Sequence, residues 1–502
     1  MDGGESGTRQ FGRGGAGPGR PDTGVVLEPR PVYTSCPMKH RRSWLWLALA
    51  GLAFSGAGLL QRPLLRERER YRLTEAPPLK NAPPLVAFTT VALGGFRGIL
   101  ADLLWLRATR LQEEGRYFEL VQLATWITRL EPRFTEAWAY HAWNMAYNIG
   151  ALFEEPADRW RWVRNGIHLL RDEGLAANPE HPRLCRELAW IFYHKIGAPM
   201  DTAQRYFQQA WALEMMALFD GRRPDPTLLG PDARRRLVEE YRLDPEAIRQ
   251  VDAAYGPFDW RLPQAHAVYW AWRALPRAKG FEAEAIRGLI QSAQLDAFRH
   301  GRLIHDPEAG IFLAAPQLDL LPVARKFMDD VLAAHPDDVE LQEAFRTSRA
   351  EIIQILFSNH RVTEAENMFR SLKERFPETL RGESLEDYLF NLQSLQLQDH
   401  TPGPWDILLD KLAYQAGLWR ALGEEDPAAG TEALFQLFAE RAGVSAPDSI
   451  RQRALDRLQA DLPPSRARQR LEESRRDSNR SVNQAGSQRP ILMPTRAVRV
   501  TG

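Results

Sequence analysis

Between Gly98 and Asp456 apolar residues recur three and four positions apart, in segments of roughly 12 to 18 residues bounded by proline and glycine, the period of amphipathic helices. Strand-like alternation is scarce, so the body is expected to be all-α. Ahead of it the pattern changes. Residues 43–61, SWLWLALAGLAFSGAGLLQ, carry no charge, and 19 helical residues at 1.5 Å rise span roughly 28 Å, close to the thickness of a hydrocarbon core. This predicts one transmembrane helix. Lys39, His40, Arg41 and Arg42 precede it and Arg62, Arg66, Arg68, Arg70 and Arg72 follow, so flanking charge alone does not orient it. Met38, the KHRR run and the apolar stretch together have the layout of a bacterial signal sequence. Ser55-Gly56-Ala57 offers a small-residue cleavage site, but the apolar run continues through Leu59 and Leu60. The expectation is an uncleaved single-pass anchor in a bacterial inner membrane, with the body exported to the periplasmic side.

A second apolar stretch, Leu85 to Leu106, is interrupted by Arg97 and Asp102 and weakened as a helix by Gly94-Gly95. A charge at bilayer depth costs roughly 3 kcal/mol, which favours a buried or interfacial first helix over a second crossing. Composition sets the remaining boundaries. Residues 1–42, rich in Gly, Arg and Pro, and residues 457–502, a basic tail rich in Ser, Gln, Asn and Arg, read as disordered, with a helix around Ala467 to Arg476 as the exception. Residues 62–84 read as a charged, proline-containing linker. The breakers in FDGRRPDPTLLGPD and AAYGPFDW mark 216–260 as an irregular insertion between two helical blocks, 85–215 and 261–456, the second closed by capping helices from Trp405 to Val444.

Within the blocks a frame returns. Leu100 to Phe134 holds two helices divided by Gly115-Arg116-Tyr117 and stopped by Pro132; Ala108 is a small residue on the first, while Leu120, Ala124 and Ile127 follow on the second. Thr135 starts the next unit, with Trp138 and Ala142 on its first helix and a long second helix from Pro156 to Asn178. A third unit carries Leu188, Ala189 and Phe192, then Ala203, Phe207 and Ala210. The small-large-small spacing recurs at Ala324, Met328 and Val331 before Pro336 and at Ala365, Phe369 and Leu372 before Pro377, with a weaker copy at Ala285, Leu289 and Ser292. The series resembles the tetratricopeptide repeat.

That resemblance implies a right-handed α-solenoid of helix pairs behind the N-terminal transmembrane helix, and a concave groove lined by fixed positions of each first helix. Transferred to this chain, those positions put Trp105, Trp143, Tyr147, Trp190, Tyr193 and His194 in the groove, with Arg183 and Arg186 beside them. An aromatic groove with an arginine edge suits an extended or helical peptide bearing a carboxylate. The competing reading is packing: 11 of the 15 Trp fall between Trp105 and Trp272, where contacts between neighbouring helices alone would use them. The Lys and Asn carboxylate clamp of chaperone-binding members of the family is absent.

Charge narrows the partners. The chain is neutral overall, but 1–42 carries an excess of three positive charges and 461–502 an excess of five, leaving eight negative in between. That argues against nucleic acid and for other proteins or peptides, plus the lipid bilayer through 43–61. Of 65 basic residues 58 are Arg, a skew that points to GC-rich coding rather than to chemistry. The two cysteines, Cys36 and Cys185, lie on either side of the apolar segment, and His181 with Cys185 supplies only two ligands, so no disulfide, metal or other cofactor is expected. Neither a phosphate-binding loop nor HExxH nor GxSxG occurs. The expected function is an envelope scaffold in secretion, surface assembly or polysaccharide export. Alternatives are an accessory or regulatory subunit of a membrane transporter or glycosyltransferase, and an enzyme acting on glycans through Trp260, Trp270 and nearby Asp residues.

Overall fold

The computed structural model describes residues 97–219, 228–398 and 404–487, together with Trp46, residues 48–53, Ser55, Gly56, Leu59, Pro63, Arg66 and Glu67. The chain divides into two compact units, Met1–Pro78 and Leu79–Gly502. In the first, the described positions are helical, and Trp46, Leu49, Leu52 and Leu59 are exposed. Among the described residues no helix is long and apolar enough to cross a membrane. The other positions of the expected span 43–61, with 1–42, most of 62–84 and the start of the first block at 85–96, lie outside the described residues.

The second unit is mostly helical. Helices α1 (Arg97–Glu113) and α2 (Tyr117–Leu130) form a hairpin around the left-handed Gly115, a backbone conformation that glycine adopts at no cost. The apolar frame read from the sequence is the buried face: Ala108, Leu111, Leu120 and Ile127 make a small core with Ala137. Next come α3 (Thr135–Trp143), α4 (Pro156–His168), α5 (Pro182–Trp190) and α6 (Gln204–Met216). The Pro132 carbonyl, expected only to end a helix, accepts from both Trp138 Nε1 (2.9 Å) and Asn178 Nδ2 (2.7 Å), fixing the start of α3 on the end of the second unit's long helix. Gly166 of α4 lies where α3 passes closest. A Cβ there would stand 2.8 Å from the Ala142 carbonyl.

Three of these helices are extended by π-helical turns: Asn144–Ile149 after α3, Leu169–Gly174 after α4 and Ile191–Gly197 after α5. A π turn bonds i to i+5 and so inserts one residue into an α pattern. The helix predicted from Pro156 to Asn178 runs through one such insertion and ends at Ala177. Each π segment ends on or just before a glycine whose added Cβ would lie 3.3 to 3.5 Å from the carbonyl five residues back: Met145 for Gly150, Leu169 for Gly174 and Phe192 for Gly197.

The region expected as an irregular insertion, 216–260, contains α7 (Pro231–Glu239) and α8 (Pro245–Tyr255), and their Leu237, Ile248 and Val251 belong to the main core. Pro231 and Pro245 are helix starts here, not breaks: a first-turn N–H has no intrahelical partner, so proline loses nothing there. Asp244 caps α8 by accepting from the Glu246 N–H (3.0 Å). Helices α9 (Pro263–Ala274) and α10 (Gly280–His300) follow, α9 packing closely on α5. On α10 the buried face is Ala283, Ile286, Leu289, Ile290 and Ala293, one residue out of register with the expected Ala285 and Ser292.

A two-stranded antiparallel hairpin, β1 (Arg302–Asp306) with β2 (Ile311–Ala315), interrupts the helices, and the all-helical expectation did not include it. It is bound to the core by a buried pair. Asp259 accepts from Arg261 Nε (2.8 Å) and Nη2 (2.7 Å) and from the Leu303 N–H (3.0 Å), while Arg261 Nη2 donates to the Leu303 carbonyl (3.3 Å). The pair thus satisfies both backbone groups of Leu303, at the edge of a sheet that has two strands among the described residues.

Helices α11 (Leu321–Ala334), α12 (Val339–Ser358) and α13 (Val362–Arg375) follow, and the recurring frame is buried at Ala324 and Met328 and at Ala365, Phe369 and Leu372, while the expected Val331 is only half-buried and Leu332 takes its place in the core. Beyond α14 (Leu385–Gln398), helix α15 (Pro404–Leu422) is flanked by α16 (Glu425–Arg441), α17 (Pro447–Asp461) and α18 (Arg466–Ser487). The expected disordered tail from 457 is corrected as far as Ser487, residues 488–502 lying outside the described residues: α17 runs to Asp461, and α18, far longer than the short helix foreseen, buries Ala467 and Leu471 against Leu458 and Leu462. Few apolar residues were needed, because arginine-carboxylate contacts such as Arg475 with Asp456 (2.5 Å) line the rest of that face.

Candidate binding site

Two helices of the first block are built alike. Residues 142–150 read AWNMAYNIG and residues 189–197 read AWIFYHKIG, an offset of 47 in which Ala, Trp, Ile and Gly coincide and Tyr147 matches His194. In both, the π segment begins immediately after the tryptophan and ends at or beside the glycine. This repetition was present in the sequence and is a more specific signal than the degenerate small-large frame.

The equivalent side chains meet. Trp143 stacks on Tyr147 (ring centroids 5.7 Å, 20° between planes), Tyr147 neighbours His194 (5.8 Å), and His194 stacks on Trp190 (4.7 Å, 11°). Tyr193 lies 5.9 Å from Trp190. The result is a four-ring ladder whose two tryptophans stay open to solvent, Trp143 at 37% and Trp190 at 38% exposure. Stacked rings at such distances attract by about 0.5–1.5 kcal/mol per pair beyond their area, so the ladder is held in place before anything binds.

A buried ionic cluster supports it from behind. Lys195 Nζ sits 5.0 Å from the Tyr147 ring centroid and 2.6 Å from Asp201, and Asp201 also binds Arg159 at 2.7 Å. Burial alone would raise the Asp201 carboxyl, but Lys195, the Ala203 N–H and Arg159 outweigh it and hold it below the usual carboxylate range. Burial and then the nearby Glu187 carboxylate push the Tyr147 hydroxyl above its ordinary value. Burial and the adjacent Lys195 lower His194, which keeps its ring neutral near pH 7.

Of the residues expected in a groove, Trp143, Tyr147, Trp190, Tyr193 and His194 come together. Trp105 does not: it is half-buried against Phe134 (5.5 Å) and Tyr140 (5.1 Å), which is the packing role rather than the groove. Arg183 and Arg186 are half-buried on α5, Arg186 pairing with Glu187 at 2.8 Å. Among their neighbours, Glu187 is the one whose charge raises the Tyr147 hydroxyl, after burial.

Other residues weighed for chemistry are placed differently. Trp260 is fully buried and donates to Asp252 (3.2 Å), and Asp259 is committed to Arg261, so neither faces a glycan. Cys185 is buried, its thiol pushed up to about 12 by desolvation. Among the described residues, no three His, Cys, Asp or Glu side chains gather as a metal would require. Comparison with protein-family models, with curated proteins and with solved structures finds no match for this chain.

Proposed function

We propose that this protein is a membrane-anchored scaffold that holds other proteins on stacked helix pairs of the tetratricopeptide kind. The apolar run 43–61 fixes it to a bacterial inner membrane, and the exported body works in envelope assembly or export. The ladder takes an extended or helical peptide across Trp143 and Trp190, with an acidic group of that peptide against Arg183 and Arg186. One observation carries the reading: two tryptophans at equivalent positions of equivalent helices, both more than a third exposed, are joined by a preset stack. Large aromatic side chains held open in this way are typical anchors of binding surfaces. Support for stacked pairs comes from the packing order, in which α3 touches α5, α5 touches α9, and α4 touches α6.

Photo-reactive amino acids at positions 143 and 190, and at Arg161 as an exposed control, test the proposal in the full-length protein in its membrane. A defined partner adduct at 143 and 190 that is absent at 161, and that disappears on truncating the other tryptophan, supports it. Adducts of equal yield at all three positions, or none at 143 and 190, overturn it. An adduct to one transporter or glycosyltransferase chain would select the accessory-subunit form of the same reading.

A further inference from the structure

A cavity with unusual backbone around it lies away from the ladder, between the segment from the end of α4 to α5 and helix α9. It encloses about 380 Å³ and is lined by Arg171, Asp172, Leu175, Glu180, Cys185, Arg242, Trp270 and Arg273, among others. Three uncommon conformations converge on it. Arg171 and Asp172 stand in the π segment Leu169–Gly174. Glu180 (φ 54°) and Arg242 (φ 55°) are two of only three non-glycine residues with left-handed φ among the described residues. A left-handed backbone is strained for a residue with a Cβ, and such strain gathers where geometry serves a ligand.

The charges are arranged rather than spent. Asp172 grips Arg171 through Nε (2.9 Å) and Nη2 (2.8 Å) and lies 3.7 Å from Arg242. Glu180 binds Arg273 (2.7 Å) and Arg277. Each carboxylate therefore meets two arginines, but a guanidinium carries five N–H donors, so these contacts leave donors over. Three guanidinium groups line the cavity against two carboxylates, an excess of one positive charge. Leu175, Ala176, Pro179, Cys185 and Trp270 supply an apolar wall.

We infer that this cavity binds a small organic monocarboxylate, its carboxylate on Arg171, Arg242 and Arg273 and its apolar body against Trp270 and Leu175. Planar bidentate donors match a carboxylate. The single excess charge and the apolar wall suit a monoanion with a hydrophobic body better than a hydrated dianion such as phosphate, which would face Asp172 and Glu180.

Calorimetric titration of the full-length protein in detergent with 3-phenylpropionate, 3-phenylpropionamide and inorganic phosphate tests this. The carboxylate is expected to bind saturably, with the amide and phosphate weaker by about tenfold or more. Arg242→Asn, whose new residue tolerates the left-handed backbone, should weaken the carboxylate by about tenfold, as should Arg273→Gln, each with an unchanged melting temperature. Absence of saturable binding, equal binding of carboxylate and amide, tighter phosphate binding, or full affinity in a folded variant of either arginine would each overturn the inference.

Discussion

The Tyr147 hydroxyl lies 3.2 Å from His194 Nδ1, and the two residues hold the same place in helices 47 residues apart. The contact joins two consecutive units through residues that are neither fully buried nor fully exposed, which is where a binding surface meets its support. Trp143→Ala and Trp190→Ala remove the open ends of that surface. Each truncation loses the ring contacts beside it, about 0.5–1.5 kcal/mol per pair, so it should cost on the order of 1–3 kcal/mol. Partner adducts should be lost while the protein stays folded, with a modestly lowered chemical denaturation midpoint.

Asp201 is the linchpin behind the ladder. Asp201→Asn leaves Lys195 and Arg159 buried beside each other without their counter-charge and should destabilise the unit by about 3–5 kcal/mol. The double change Lys195→Met with Asp201→Leu removes charge of both signs and should cost less than the single one, as urea titration of the two would show. Asp201 titrates below its unfolded value. Its stabilisation is therefore complete above the ordinary carboxylate range and fades as pH falls through the folded pKa.

Two histidines set a milder acid limit. Burial lowers His141 and His266 to about 4 each, and His266 donates from Nε2 to the Trp260 carbonyl (2.9 Å). The unfolded chain takes up these protons near about pH 6.5, so stability is full above that value and declines towards pH 4, on the order of 3 kcal/mol per residue. Melting curves from pH 7 to 4 should show the slope, and His266→Gln should remove its share. An unchanged slope in that variant would assign the decline to carboxylates instead.

Gly166 is a site where one methyl group matters. Its added Cβ would lie 2.8 Å from the backbone carbonyl of Ala142, and backbone cannot swing aside as a side-chain tip can. Gly166→Ala should lose about 1–3 kcal/mol despite alanine's better helix propensity. A melting temperature equal to or above that of the parent would contradict the close helix crossing.

Asp259 anchors the hairpin. Asp259→Asn keeps the shape but removes the charge that holds Arg261, and should speed hydrogen exchange at the Leu303 amide more than at core helices such as α5. Uniform acceleration would mean that the hairpin opens only with the whole unit.

The helices were legible because their burial follows a plain period: Ala108, Leu120 and Ile127, or Ala365, Phe369 and Leu372, need no knowledge of the rest of the chain. The hairpin was not, because Leu303 owes its strand to a buried pair formed across 44 positions. Helix α18 was foreseen only around Ala467 to Arg476, and its packing escaped for a similar reason: Ala467 and Leu471 are too few to signal a buried face until Leu458 and Leu462 are seen opposite them. The ladder was half legible. Trp143 and Trp190 were picked out by family positions, which also picked out Trp105, and only the matched AW and IG dipeptides separate the two cases.

The matched π segments carry a consequence for how such a surface can change. Adding one residue to an α-helix turns everything after it by about 100° around the axis. Because the helix holding Tyr147 and the helix holding His194 both carry the addition, both are turned by the same angle and their side chains remain in phase. Trp143 and Trp190 stand just before the added residue and Tyr147 and His194 within it, so ordinary winding in one helix alone would turn its Tyr or His away from both its own tryptophan and its counterpart. The contact between the two units therefore depends on both helices carrying the same irregularity.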